Sequence, residues 1–457
     1  MGWCGKLLVG SILLAACTSS VAPTVDSTVP FPAPVTSSSS PSSSSTLPPT
    51  TRPVEPSPSR PSSAPLDCRR GLDPVATAGW REGPTAELEV LQERGPRVSA
   101  VAYPLPEAPY RLWSQWGKGV VLRDGRYLSA VGDERGADGN SYVYEFDPAT
   151  GRLTLVFDVM EVVDHTPGAW GYGKIHAPML ETPCGDVVTA TYWGTRRGLV
   201  FGDGYDGDLL LRIDPVARTV ENLGVVAEGR GVPSMALALD GRTVFAEAVE
   251  PVGDTGELVT IDLTTGARTS VSIPGHRTFR SVLVGPDGIP WVAVGGGAIA
   301  GVEADGTVVV EKGLPGDVLR MATPPGPDGT VVGVTVDPDV FFRRDPDGTI
   351  VTLGPALGYT TSLARTADGA TVYSMPRAHG AAWTLGAPLQ ALDVATGRLE
   401  TVVELQPLVE ETLGLRVGGT YSIAVDDTRI YLGVNASPID DESGFGSVVL
   451  ILVELDR

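Results

Sequence analysis

The chain has 457 residues, with 34 Lys and Arg against 55 Asp and Glu, a formal charge of −21 and a pI near 4.6. A surface this acidic repels phosphate backbones and anionic headgroups, which excludes general nucleic-acid binding and electrostatic docking on anionic lipid. Hydrophobic residues make up 42%, enough for a large core, while 56 Gly and 39 Pro work against long helices, so the composition reads as strand and turn.

The first segment carries Lys6 and then an apolar run of Leu7, Leu8, Val9, Ile12, Leu13 and Leu14. That run is too short to span a bilayer, and residues 1–16 read as a signal peptide. Leu14-Ala15-Ala16-Cys17 resembles the lipobox of bacterial lipoproteins. The resemblance implies that Cys17 is lipidated, that acyl chains such as palmitate are the membrane attachment, and that the protein faces the extracytoplasmic side of the cell membrane. Residues 17–66 are mostly Ser, Thr and Pro, with too few apolar groups to repay ordering, so they predict a disordered, partly PPII stalk. Residues 67–96 connect this stalk to a folded domain over 97–457.

Within that domain two turn signals alternate. Asp124-Gly125, Cys184-Gly185, Asp240-Gly241, Asp287-Gly288, Asp328-Gly329, Asp368-Gly369 and Asp426-Asp427 each precede a β-rich run. Asp147-Pro148, Asp214-Pro215, Asp262, Asp305-Gly306, Asp345-Pro346, Asp393 and terminal Asp456 each end a later run. The two series interleave seven times at roughly 40 to 65 residues, the period of a four-stranded propeller blade. Asp and Gly suit such turns because both tolerate left-handed backbone. The seventh unit, with runs over 421–425, 429–434 and 447–455, lacks a fourth strand, whereas residues 97–103 form a spare β-like run ahead of the first unit. The two complete each other, predicting a ring closed by the N-terminal run, without free edges. The fold class is therefore all-β, a seven-bladed β-propeller.

The repeat, with its paired Asp-Gly and Asp-Pro-x-x-Gly turns, is similar to the seven-bladed propellers of the YVTN, NHL and streptogramin-lyase-like group. That resemblance covers residues 97–457 and implies the fold. Members of the group include lyases, scaffolds and binders of sugars or proteins, and no segment here reproduces the catalytic pattern of the lyases.

Short turns occupy one face of such a ring, and long loops the other, where binding usually sits. His165, His176, His276 and His379 all fall on the loop face, which raises a divalent metal as one cofactor option, although only His165 and His176 are close in sequence. More suggestive are the cations at or just before the innermost strands: Lys118, Lys174 with His176, Arg277 with Arg280, and Arg320, with Thr361 and Tyr421 in the equivalent places of the last units. Convergence at one channel mouth predicts a pocket for carboxylate or phosphate, against the plainer alternative of local ion pairs. Trp170, Tyr172, Tyr192, Trp193, Phe201, Tyr205 and Trp383 add aromatic faces suited to sugar rings or to packing the loops down. The run 202–208 either chelates Ca²⁺ or forms turns. With Cys17 lipidated in an oxidising compartment, Cys68 and Cys184 form the natural disulfide pair, pinning the stalk to the turn face.

Three functions stay open at this point. One is a binder of an acidic glycan, small anion or protein loop. A second is a lyase in which His176 abstracts a proton alpha to a carboxylate while Lys174 or Arg280 stabilises the intermediate. The third is an envelope scaffold acting through a protein partner. Nucleophile-elbow, P-loop and dinucleotide motifs are absent from the sequence.

Overall fold

The computed structural model describes residues 72–107, 112–194, 205–250, 256–277, 281–378, 381–441 and 445–455. They form seven antiparallel sheets, one per blade. From channel to rim, the first blade runs Val120–Val121, Tyr127–Gly132, Ser141–Asp147 and Arg152–Asp158; the fifth runs Val318–Ala322, Val331–Val336, Val340–Arg344 and Ile350–Pro355. The turn signals sit between these strands as the repeat predicts, apart from Asp456, which lies outside the described residues.

The turns close on their own side chains. Asp328 Oδ1 accepts from the Thr330 N–H at 3.0 Å and from its hydroxyl at 2.7 Å, and Asp262 Oδ1 accepts from the Thr264 N–H at 2.7 Å and the Thr265 N–H at 3.1 Å. The glycines that follow take the left-handed conformation, Gly329 at φ 76° and Gly266 at φ 75°.

Middle strands are covered on both sheet faces, because each blade packs against two neighbours. Val331–Val336 is buried throughout, while the outer strand Arg268–Ile273 is mostly half-buried or exposed. Apolar clusters fill the seam between every successive pair of blades. Phe157 and Leu211 meet between the first and second, Leu210 and Val244 between the second and third, and Tyr144 and Leu450 where the seventh returns to the first. The core is thus a circle of seams rather than one centre.

The closing strand is the expected one. With β1 as Ala76–Gly79, β2 as Thr85–Glu87, β3 as Glu89–Gln92 and β4 as Val98–Ala102, β4 pairs antiparallel with Ser447–Glu454, Ala100 opposite Ile451. The residues ahead of β4 do more than connect. β1 adds an outer strand to the second blade, β2 to the first, and β3 to β4 in the seventh, so three adjacent blades have five strands. This belt begins on the turn face: Leu72 lies against Gly266, in the outer turn of the third blade. The sixth-to-seventh connection holds a short helix, Leu405–Leu413, stopped by left-handed Gly414.

Candidate functional site

Each innermost strand enters the channel from the loop face and leaves it at a short turn, Asp-Gly in five of the seven blades, so residues just before or early in these strands form one mouth. The channel holds a cavity of about 640 Å³, whose lining includes Lys118, His176, Ser234, Ser281, Arg320, Thr361 and Tyr421 at that mouth. Each blade contributes one of these, and every one carries a hydrogen-bond donor. Among the described lining residues the single carboxylate is Glu181, in the innermost strand Leu180–Glu181 and on the side of the turns.

Lys118 donates to the Leu363 carbonyl of the sixth blade at 2.8 Å. Burial pulls its ammonium down to about 8. Among the described residues no carboxylate forms an ion pair with it. Arg320 is 1% exposed, and its Nε donates to the Tyr359 hydroxyl at 2.8 Å while its guanidinium lies 5.8 Å from the Tyr421 ring. Thr361 uses its hydroxyl to donate to the Thr420 carbonyl.

Trp116 also lines the cavity and is not among the candidates drawn from the sequence. His176 stacks on it at 5.4 Å and 5°, Tyr421 tilts against it at 4.7 Å, and Phe445 covers it at 5.7 Å. Its indole N–H donates to Glu134 Oε1 at 2.7 Å.

Lys174 behaves differently from Lys118. Its Nζ sits 4.5 Å from the Trp116 ring centroid and 3.4 Å from Glu134 Oε1, so its charge is balanced by the protein and it is not part of the cavity lining. The ion-pair alternative holds here. Glu134 reaches it because the loops of the first two blades interlock through glycine: a Cβ on Gly194 or Gly173 would stand 1.8 or 2.5 Å from the Arg135 carbonyl oxygen.

Arg277 is exposed, its side chain lying along Gly295, and it does not line the cavity. Arg280, His379, Phe201, Cys17 and Cys68 lie outside the described residues, as does the side chain of Trp383. Cys184 occupies the second blade's inner turn, where its N–H donates to Thr182 Oγ1 at 3.2 Å.

The histidines separate. His165 Nε2 lies 2.9 Å from Asp138 Oδ1, His276 Nε2 lies 2.8 Å from Glu247 Oε1 with both groups buried, and His176 stacks at the mouth. No group of three or more His, Cys, Asp or Glu side chains among the described residues is placed to share a metal ion. The described residues, which leave out His379, therefore do not assemble a histidine-built site.

Of the loop aromatics, Tyr172, Tyr192, Trp193 and Tyr205 are buried, and pack the loops. Tyr192 also meets the His176 ring at 4.4 Å. At the end of the 202–208 run, Asp208 is fully buried, accepting from Tyr205, from Thr191 Oγ1 at 3.1 Å and from the Val232 N–H at 2.9 Å. Burial raises its carboxyl to about 8, which suits an internal hydrogen-bond hub rather than a Ca²⁺ ligand.

No protein-family model matches the sequence, and no curated protein does. Solved structures do match. A catalytically inactive His-to-Ala variant of virginiamycin B lyase from Staphylococcus aureus, crystallised with quinupristin, aligns with TM-score 0.51 at 11% identity, over 79% of this chain and 100% of that one. A streptogramin B lyase aligns with TM-score 0.52 at 11% identity, over 81% and 98%. Oligogalacturonate lyase in complex with manganese aligns with TM-score 0.50 at 15% identity, over 82% and 98%. Likeness at this identity is a likeness of fold. The chain is a seven-bladed β-propeller, similar in architecture to the streptogramin B lyases.

Proposed function

We propose that this protein is a binding propeller that captures an organic anion at the loop-face mouth of its channel. One observation carries the reading: in a chain of charge −21, every blade brings a donor side chain to this mouth, and the described residues lining it there include no carboxylate. A buried carboxylate needs charge-assisted donors, and Lys118, His176 and Arg320 supply them from three blades.

The anchor belongs to the same proposal. Cys17 is lipidated, residues 17–66 form a stalk, and a Cys68–Cys184 disulfide fixes the stalk's end to the turn face. Leu72 on the turn face supports this orientation, with the binding mouth away from the membrane and toward acidic carbohydrate, small anions or a protein partner.

A lyase is the second reading, favoured by His176 and Lys118 lining one cavity and by the activities in the names of the similar structures. His176 would take a proton alpha to a carboxylate, Lys118 and Arg320 would stabilise the negative charge that develops, and the electron pair would expel the oxygen-linked group on the beta carbon to leave a double bond.

Thermal unfolding of the full chain with glucuronate, oligogalacturonate, phosphate and divalent metals tests both. Binding predicts stabilisation by a carboxylate ligand that is lost in Lys118→Met. Catalysis predicts, in addition, new unsaturated product that disappears in His176→Ala. No stabilisation by any of these ligands or by simple alkyl carboxylates defeats the anion reading and moves the weight to a scaffold acting through its rim.

A further inference from the structure

The wall of the channel changes character below the donor ring. Val120, Ala236, Val282, Ala322, Ala364 and Ala424 line the cavity there, one from each of six blades. At the turn-face end Pro324, Pro325 and Pro327, which have no N–H to offer, join Glu181 and Arg365. Arg365 is already committed, donating to the Gly369 carbonyl at 2.8 Å and to the Thr330 carbonyl at 2.6 Å.

A sugar acid drawn into this space would meet mostly apolar side chains, with Thr323, Thr366 and the open edges of the innermost strands as partners for its hydroxyls, and so would recover only part of the water it loses. An alkyl chain loses nothing polar, and gains about 0.8 kcal/mol per buried methylene. The volume, about 640 Å³, is that of a small-molecule site rather than of a structural gap. Building on the anion reading, we propose that the ligand is an amphiphile, an alkyl carboxylate whose head is held by Lys118 and Arg320 and whose chain descends the central channel.

The test is titration calorimetry on the full chain with hexanoate, octanoate and decanoate below their micellar concentrations, together with decanol and glucuronate. Affinity is expected to rise about fourfold for each added methylene. Decanoate is expected to bind at least about tenfold more tightly than decanol. Lys118→Met should remove that difference and keep the dependence on chain length. Ala236→Phe and Ala322→Phe, each checked by its melting curve, should flatten the dependence on chain length by filling the channel.

Affinity independent of chain length, with glucuronate still bound in a Lys118-dependent way, overturns the amphiphile and leaves the anion reading standing. Equal binding of decanoate and decanol overturns the charged head. Failure of every carboxylate to bind overturns both proposals together.

Discussion

The two faces of the ring are built from the same seven repeats and differ in almost everything else. On the turn face, a single device recurs: an Asp carboxylate accepts the N–H two residues on, and a glycine turns left-handed, as at Asp328-Gly329 and Asp368-Gly369. On the loop face the connections differ in length and sequence, and interactions run between blades, from Lys118 to Leu363 and from Lys174 to Glu134. The lesson is one of range. Local chemistry repeated seven times makes the scaffold, while the site is made by contacts between residues distant in sequence.

Separate perturbation of the faces should expose that division. The largest effect is expected where loops interlock: Gly173→Ala brings a Cβ against the Arg135 carbonyl, and should cost about 1–3 kcal/mol in denaturant unfolding while also weakening ligand binding. Lys118→Met comes next, with carboxylate affinity falling by about 2 kcal/mol in titration and the melting temperature unchanged or higher, since a buried ammonium is removed.

A pH series sharpens the same point. With the unliganded Lys118 titrating near 8 and a bound carboxylate favouring its charged form, affinity should be flat below that pH and drop about tenfold between roughly pH 7 and 9. The stability sign follows from the lowered folded value. The unfolded lysine holds its proton better, so this residue's unfavourable contribution fades as pH rises from about 8 toward 10.5.

The smallest effect belongs to the turn face. Asp262→Ala should cost about 1 kcal/mol or less and leave binding untouched. Hydrogen bonds from the Thr330 and Thr366 hydroxyls hold Asp328 and Asp368 below the ordinary carboxylate range. Their stabilisation is present above the unfolded value of 3.8 and is lost as pH falls through the folded one, so the melting temperature should decline below about pH 4. Acid should thus loosen the turn face while Lys118 at the mouth keeps its charge.

The same distinction explains what could be read from sequence. Asp-Gly and Asp-Pro turns, the missing seventh-blade strand and its replacement by residues 98–102 were legible because turn chemistry is local. Lys118, His176, Arg320 and Tyr421 were legible because their place at the start of an inner strand is enough to put them at the mouth. Trp116 was not, since its importance lies in partners from the second and seventh blades. Lys174 was placed near the mouth without Glu134, whose reach depends on loops threading past glycines. Arg277 precedes an inner strand as the others do, but lies outward along Gly295. Strands β1 and β2 are four and three residues long, so even the alternation of Ala76 and Ala78 with Thr77 and Gly79 is too brief to mark a strand, and both exist because outer blade edges pair with them.

Those added strands bear on how the molecule carries force. With the proposed Cys68–Cys184 bridge reduced, a pull on the chain ahead of Leu72 would not meet the ring at its closing seam. It first loads the four-residue ladder of β1 along the second blade, then β2 on the first, and only after both are stripped does it reach β3, and beyond it the β4 ladder that holds the circle shut. The outer strands therefore act as successive yield points. Each can give way and later re-pair, and the seven-membered ring with its channel keeps its shape while they do.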